Sequence, residues 1–118
     1  MRSAALLVTL ALLLAACRPN KAEPLDAEVS ISPWPPQVRR SLVTVRIPTS
    51  LDVVSVQVVG DMTHAGMIPV EAEAERQEPG LWVVRDFDLN MRGDWILTIT
   101  AKDREGKKYV KEVRFTIR

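Results

Sequence analysis

Two thioethers and an imidazole fall within six residues of each other in Gly60-Asp61-Met62-Thr63-His64-Ala65-Gly66-Met67, where His64 is the only histidine of the chain. A further methionine, Met91, lies in a second glycine-containing turn, Asn90-Met91-Arg92-Gly93-Asp94. Thioether and imidazole donors suit a soft, monovalent copper ion, whereas Mg, Ca and Mn take hard oxygen ligands. In an extended strand side chains repeat direction every second residue, so Met62 and His64 face the same way. Gly66 then allows a reversal that carries Met67 back toward them. The expected metal ligands are Met62, His64 and Met67, with Met91 as a fourth, and the expected ion is Cu(I). Structural zinc needs four Cys, His or carboxylate ligands, which do not gather around one histidine in a domain without a thiol.

The same residues have a structural reading. Methionine is a routine filler of core gaps, so Met62 and Met67 could close one end of the fold while His64 stands in solvent. Other constellations carry less. Asp86-x-Asp88-x-Asn90 imitates the opening of a calcium loop, but no glycine follows Asn90 directly, no glutamate closes the loop, and Phe87 and Leu89 are core-like. An enzyme is not expected. One histidine beside Asp61 and Thr63 on an extended loop does not build a catalytic triad, and a domain this size has little room for a carboxylate-lined cleft.

The elements that must position these residues are strands. Ala27–Ser32 alternates and stops at Pro33-Trp34-Pro35-Pro36, where prolines forbid ladder and helix alike. Trp34 is either a plug for one end of the fold or an exposed loop residue. Val43, Val45 and Ile47 share one face of the next strand, and Val54, Val56 and Val58 one face of the strand that runs into Gly60. Pro69–Arg76 keeps strict alternation, which favours strand over the helix that its Glu-Ala-Glu-Ala-Glu composition would otherwise suit. Leu81–Leu89 breaks period around Arg85-Asp86, as a β-bulge does. Trp95–Ala101 and Tyr109–Ile117 are joined by Asp103-Arg104-Glu105-Gly106, a hairpin loop. About seven short strands at regular spacing predict an all-β chain, an immunoglobulin-like antiparallel β-sandwich without its disulfide. Trp82 and Trp95 are its expected core aromatics, each needing a partner for its indole N–H.

The N-terminus reads differently from the rest. Arg2, the apolar run Ala4–Leu14 and the small-residue ending Leu14-Ala15-Ala16-Cys17 form a secretory signal, too short to span a bilayer as a helix. The last four residues resemble a bacterial lipobox, which implies lipidation at Cys17 and attachment to the outer side of a bacterial membrane. The expected organisation is a signal peptide over 1–16, a lipidated Cys17 with a flexible tether over 17–26, and a domain over 27–118. Lys and Arg total 16 against 15 Asp and Glu. Losing Arg2 with the signal balances them, so no basic field draws the protein to nucleic acid. Arg39-Arg40 and Lys107-Lys108 read as solvated turn or edge residues.

Gly60–Val70, Pro79-Gly80-Leu81-Trp82, Phe87–Met91 and Gly93-Asp94-Trp95 together resemble the YtkA-like domain family, related to FixH-type accessory proteins of respiratory oxidases. The resemblance spans Val43 to Arg118. It implies an immunoglobulin-like sandwich outside the cytoplasmic membrane, periplasmic in a two-membrane cell, with a role in copper supply or oxidase assembly. Carried onto this chain it points to Met62, His64, Met67 and Met91, and to an oxidase subunit or copper transporter as partner. The alternative functions are an adaptor that binds a membrane protein complex without metal, and, less favoured, a copper oxidoreductase.

Overall fold

The computed structural model describes residues 22–64 and 68–118. Cys17 and the signal and lipid readings lie outside the described residues, as does Met67. Nine strands make up the described chain: β1 (Glu23–Pro24), β2 (Glu28–Ser32), β3 (Arg39–Arg46), β4 (Val53–Met62), β5 (Val70–Glu73), β6 (Glu75–Glu78), β7 (Leu81–Leu89), β8 (Gly93–Asp103) and β9 (Lys108–Ile117). They form two sheets, β2-β3-β7-β6 and β1-β9-β8-β4-β5. All pairings are antiparallel except β1 with β9. The expected β-sandwich is what the chain forms. Seven of its strands follow the immunoglobulin order, with β2, β3, β7 and β6 in the places of strands A, B, E and D, and β4, β8 and β9 in those of C, F and G, while β5 beside β4 takes the place of C′ and β1 is added at β9's edge.

Alternation explains the core. Val43 and Val45 of β3 face Val56 and Val58 of β4 and Leu97 and Ile99 of β8 across the sandwich, all buried. At the centre, where antibody domains carry a disulfide, branched aliphatic side chains pack instead. Among the described residues the hydrophobic core lies between Leu25 and Ile117, so the segment from Ala22 onward holds that core whole.

Four local departures from simple alternation have identifiable causes. The bulge expected at Arg85-Asp86 is present: Ser41 pairs with Phe87 and Val43 with Val84, leaving two residues of β7 opposite Leu42. Asp86 there adopts φ 57°. A second register shift, between Val53 and Ser55, turns Val54 outward and puts Val53 in the core, so the expected inward place of Val54 is corrected. The predicted strand over Pro69–Arg76 is two strands, because Ala74 donates its N–H to Val56 O (2.8 Å) and the chain then crosses from β4's sheet to β7.

The tether is the fourth departure, since Glu23, Pro24 and Leu25 belong to the domain. Glu23 and Pro24 pair with Tyr109 and Val110, Leu25 N–H donates to Val110 O (2.9 Å), and the Leu25 side chain is buried. An apolar side chain at that point is stabilised by leaving water, and the parallel bonds on β9's edge satisfy the backbone.

Strand direction defines two ends. At one, residue 22, the Thr49–Leu51 turn, Pro79-Gly80 and the β8–β9 hairpin come together. The other, the tip, carries the loops β2–β3, β4–β5 and β7–β8 and Arg118. Charge pairs mark the first end: Arg104 donates to Asp52 (3.0 Å) and Lys107 reaches Glu23 (2.9 Å). The hydrogen bond from Arg104, then its charge, holds Asp52 below the usual carboxylate range, and the Glu23 hydrogen bond raises Lys107. Burial pushes the Tyr109 phenol up.

Candidate metal centre at the sandwich tip

The Met/His segment sits where β4 ends. Met62 is its last residue and pairs with Trp95 of β8. The ladder goes one bond further, from Thr63 N–H to Asp94 O (3.2 Å), and then the chain leaves the sheet. Met62 therefore keeps the inward direction of a strand residue and is 6% exposed, packed in the core. Two residues later His64 is exposed.

Gly93 brings them together. It opens β8 at φ 131°, in the region that favours glycine, and its missing side chain leaves the space both residues use. A methyl group built there would lie 2.6 Å from Met62 Cε and 3.6 Å from His64 Cε1. A thioether side chain coming out of the core and an imidazole standing in solvent thus converge on one point at the rim. The expectation that Met62 and His64 face the same way holds in that sense.

Met91 does not reach this point. It stands two residues before Gly93, about half-exposed, and no atom of it approaches the Gly93 position within 4 Å. Its backbone is fixed, because Trp95 Nε1–H donates to Met91 O (3.0 Å). Trp95 occupies the start of the strand in F position, and its bond back to the preceding corner does what the tyrosine corner does in immunoglobulin domains. The indole partner expected for Trp95 is thus Met91's carbonyl.

Next to Thr63 is an open groove of about 260 Å³ lined by Asp94, Trp95, Ile96, Arg114, Phe115 and Thr116. Thr116 Oγ1 donates to Asp94 Oδ1 across it. Neither this groove nor the role of Gly93 as a shared wall was readable from residue types, though Gly93-Asp94 stood out as a turn. Among the described residues no three His, Cys, Asp or Glu side chains come together as a metal-binding group. What meets at Gly93 is the end of a thioether side chain, through Met62 Cε, and the edge of an imidazole, through His64 Cε1. As for the calcium-like pattern, Phe87 and Leu89 are buried in the core, and Asp86 and Asp88 lie on the outer side of β7.

No family model and no curated protein matches this chain. Among solved structures, one described as "Myokine structure" is similar at a TM-score of 0.52 and 12% identity, over 84% of this chain and all of that one. That likeness is one of fold alone.

Proposed function

We propose that the protein is a Cu(I)-binding module, held on the outer face of a bacterial membrane by a lipid on Cys17. Its role is to carry or deliver copper to a membrane partner such as an oxidase subunit or a copper transporter. The observation that carries the metal reading is the meeting of the Met62 thioether side chain and the His64 imidazole at Gly93. Of the other two ligands named from the sequence, Met67 lies outside the described residues and Met91 stands away from Gly93. Membrane attachment rests on the lipobox-like ending at Cys17, and the oxidase connection on the resemblance to YtkA-like and FixH-type proteins.

A buried methionine beside an exposed histidine suits delivery. The soft donor is shielded from water while the imidazole stays open to an incoming acceptor, and low coordination leaves room for ligand exchange. The test is anaerobic Cu(I) titration of residues 22–118 against a chromophoric Cu(I) chelator. The expected result is about one Cu(I) per protein, weakened about tenfold or more by His64→Ala and by Met62→Leu, one ligand's worth of binding in each case. Leu replaces Met at nearly constant volume, so the core keeps its packing. Wild-type protein that cannot hold Cu(I) against the chelator, or a double variant that binds as wild type does, would sink the proposal.

A further inference from the structure

Five large apolar side chains are exposed among the described residues, and four of them stand on the tip's loops or beside them. Trp34 (66% exposed) and Val38 (45%) belong to the β2–β3 loop, Ile68 (85%) to the β4–β5 loop and Met91 (46%) to the β7–β8 loop. The fifth, Val54, sits at the bulge near the opposite end. β3 neighbours β7 and β4 neighbours β8, so the Met91 loop stands between the other two. Three separate prongs thus each present an apolar side chain at one end of the sandwich.

The cations around them are arginines. Arg39, Arg40 and Arg85 line a groove of about 490 Å³ below the β2–β3 loop, together with Ser32, Ser41 and Asp86. Arg92 lies on the β7–β8 loop. Among the described residues none of the four makes an ion pair, although Asp61, Asp86, Asp88 and Asp94 are on the same half of the domain. Near the residue-22 end, Arg104 and Lys107 are paired with carboxylates. Guanidinium groups bind phosphate bidentately, and tryptophan settles at the headgroup level of a bilayer.

We infer that the tip is a docking surface for an anionic phospholipid bilayer, with Trp34 and Ile68 entering the headgroup region and Arg39, Arg40 and Arg85 taking lipid phosphates. None of the four apolar side chains lines the grooves at this end; they stand outside them. A fluid surface admits such isolated prongs one by one, whereas a protein partner would need a matched pocket for each. Each cation near an anionic surface contributes about 1 kcal/mol, and each buried apolar side chain adds to that.

The experiment uses metal-free residues 22–118, so its outcome does not depend on copper. Co-sedimentation is measured with vesicles of phosphatidylcholine mixed with phosphatidylglycerol and with phosphatidylcholine alone. Wild type should bind the mixed vesicles at low salt, bind pure phosphatidylcholine far less, and show a blue-shifted tryptophan emission on binding. Arg39→Gln/Arg40→Gln should weaken binding about thirtyfold. Trp34→Ala/Ile68→Ala should weaken it about tenfold or more and remove the emission shift. Val54→Ala, at the other end, should change nothing, and thermal melts of these surface variants should match wild type. The inference is overturned by no binding to the anionic vesicles, by equal binding to both compositions, or by tip variants that bind as wild type does. Absent vesicle binding together with a photo-crosslinker at position 34 that captures a protein in cells would replace the lipid with a protein partner.

Discussion

Gly93 is the residue on which the candidate centre depends, because two side chains of different character share the space that its lack of a Cβ leaves. An alanine there meets Met62 Cε at 2.6 Å, a separation that forces something to move, and must also hold φ 131°, which side-chain-bearing residues rarely adopt. Gly93→Ala is expected to destabilise the domain by about 1–3 kcal/mol, the usual range for overpacking and backbone strain. It should also displace the Met62 side chain, so Cu(I) affinity falls with stability although no ligand is changed. Urea denaturation alongside the chelator titration checks both; unchanged stability would mean that Gly93 is only a turn residue. Gly60 is constrained differently. Its Cβ would lie 2.9 Å from Phe87 Cζ and 3.1 Å from Leu97 Cδ2, so it keeps β4 close to the core just before the strand delivers Met62. The two glycines stand on paired strands and fix where the thioether ends.

Among the elements, β1 is the smallest and the least expected. Leu25→Ala should cost about 2–4 kcal/mol, the range for removing a buried leucine, and should free Glu23 and Pro24 from β9. A lowered urea midpoint, with faster amide exchange at Val110, whose backbone faces β1, is the expected readout; an unchanged midpoint would return these residues to the tether. β1 was not legible because two paired residues have no period, and the prolines with mixed charges around them have a linker's composition. The long strands were legible for the opposite reason. Trp95, Leu97, Ile99 and Ala101 alternate without interruption and all four are buried, and the bulge in β7 announced itself by the break at Arg85-Asp86. Val54 misled because the slip that turns it outward is a matter of pairing with Lys102 and Asp103, a partner that local sequence does not reveal. At the candidate site the donor types of Met62 and His64 and their shared direction were legible in the residues themselves. The wall they meet on belongs to another strand.

At the scale of the whole molecule the two ends carry different proposed tasks, and the distance between them sets what both could do at once. β8 runs the length of the domain, and eleven residues at about 3.3 Å each put the tip about 35 Å from where residue 22 leaves it. The residues from Cys17 to Ala22 reach no further than about 20 Å when fully extended. If Cys17 is lipidated and the tip also meets the same bilayer, the domain lies along the surface instead of standing up from it. The proposed copper-binding rim is then held near the bilayer. Two weak attachments on one chain act together, because engaging the first raises the effective concentration of the second. Wild-type protein is therefore expected to stay with the membrane fraction in both low and high salt. On this proposal Cys17→Ser removes the lipid attachment and leaves only the arginine-rich tip, whose attraction is screened once the Debye length falls to about 3 Å near 1 M salt. The variant should be partly membrane-bound at low ionic strength and move to the soluble fraction in high salt, read by fractionation and immunoblot. Adding Arg39→Gln/Arg40→Gln should make it soluble in both. A Cys17→Ser protein that stays in the membrane fraction through high salt would show that something other than a lipid on that cysteine holds it there.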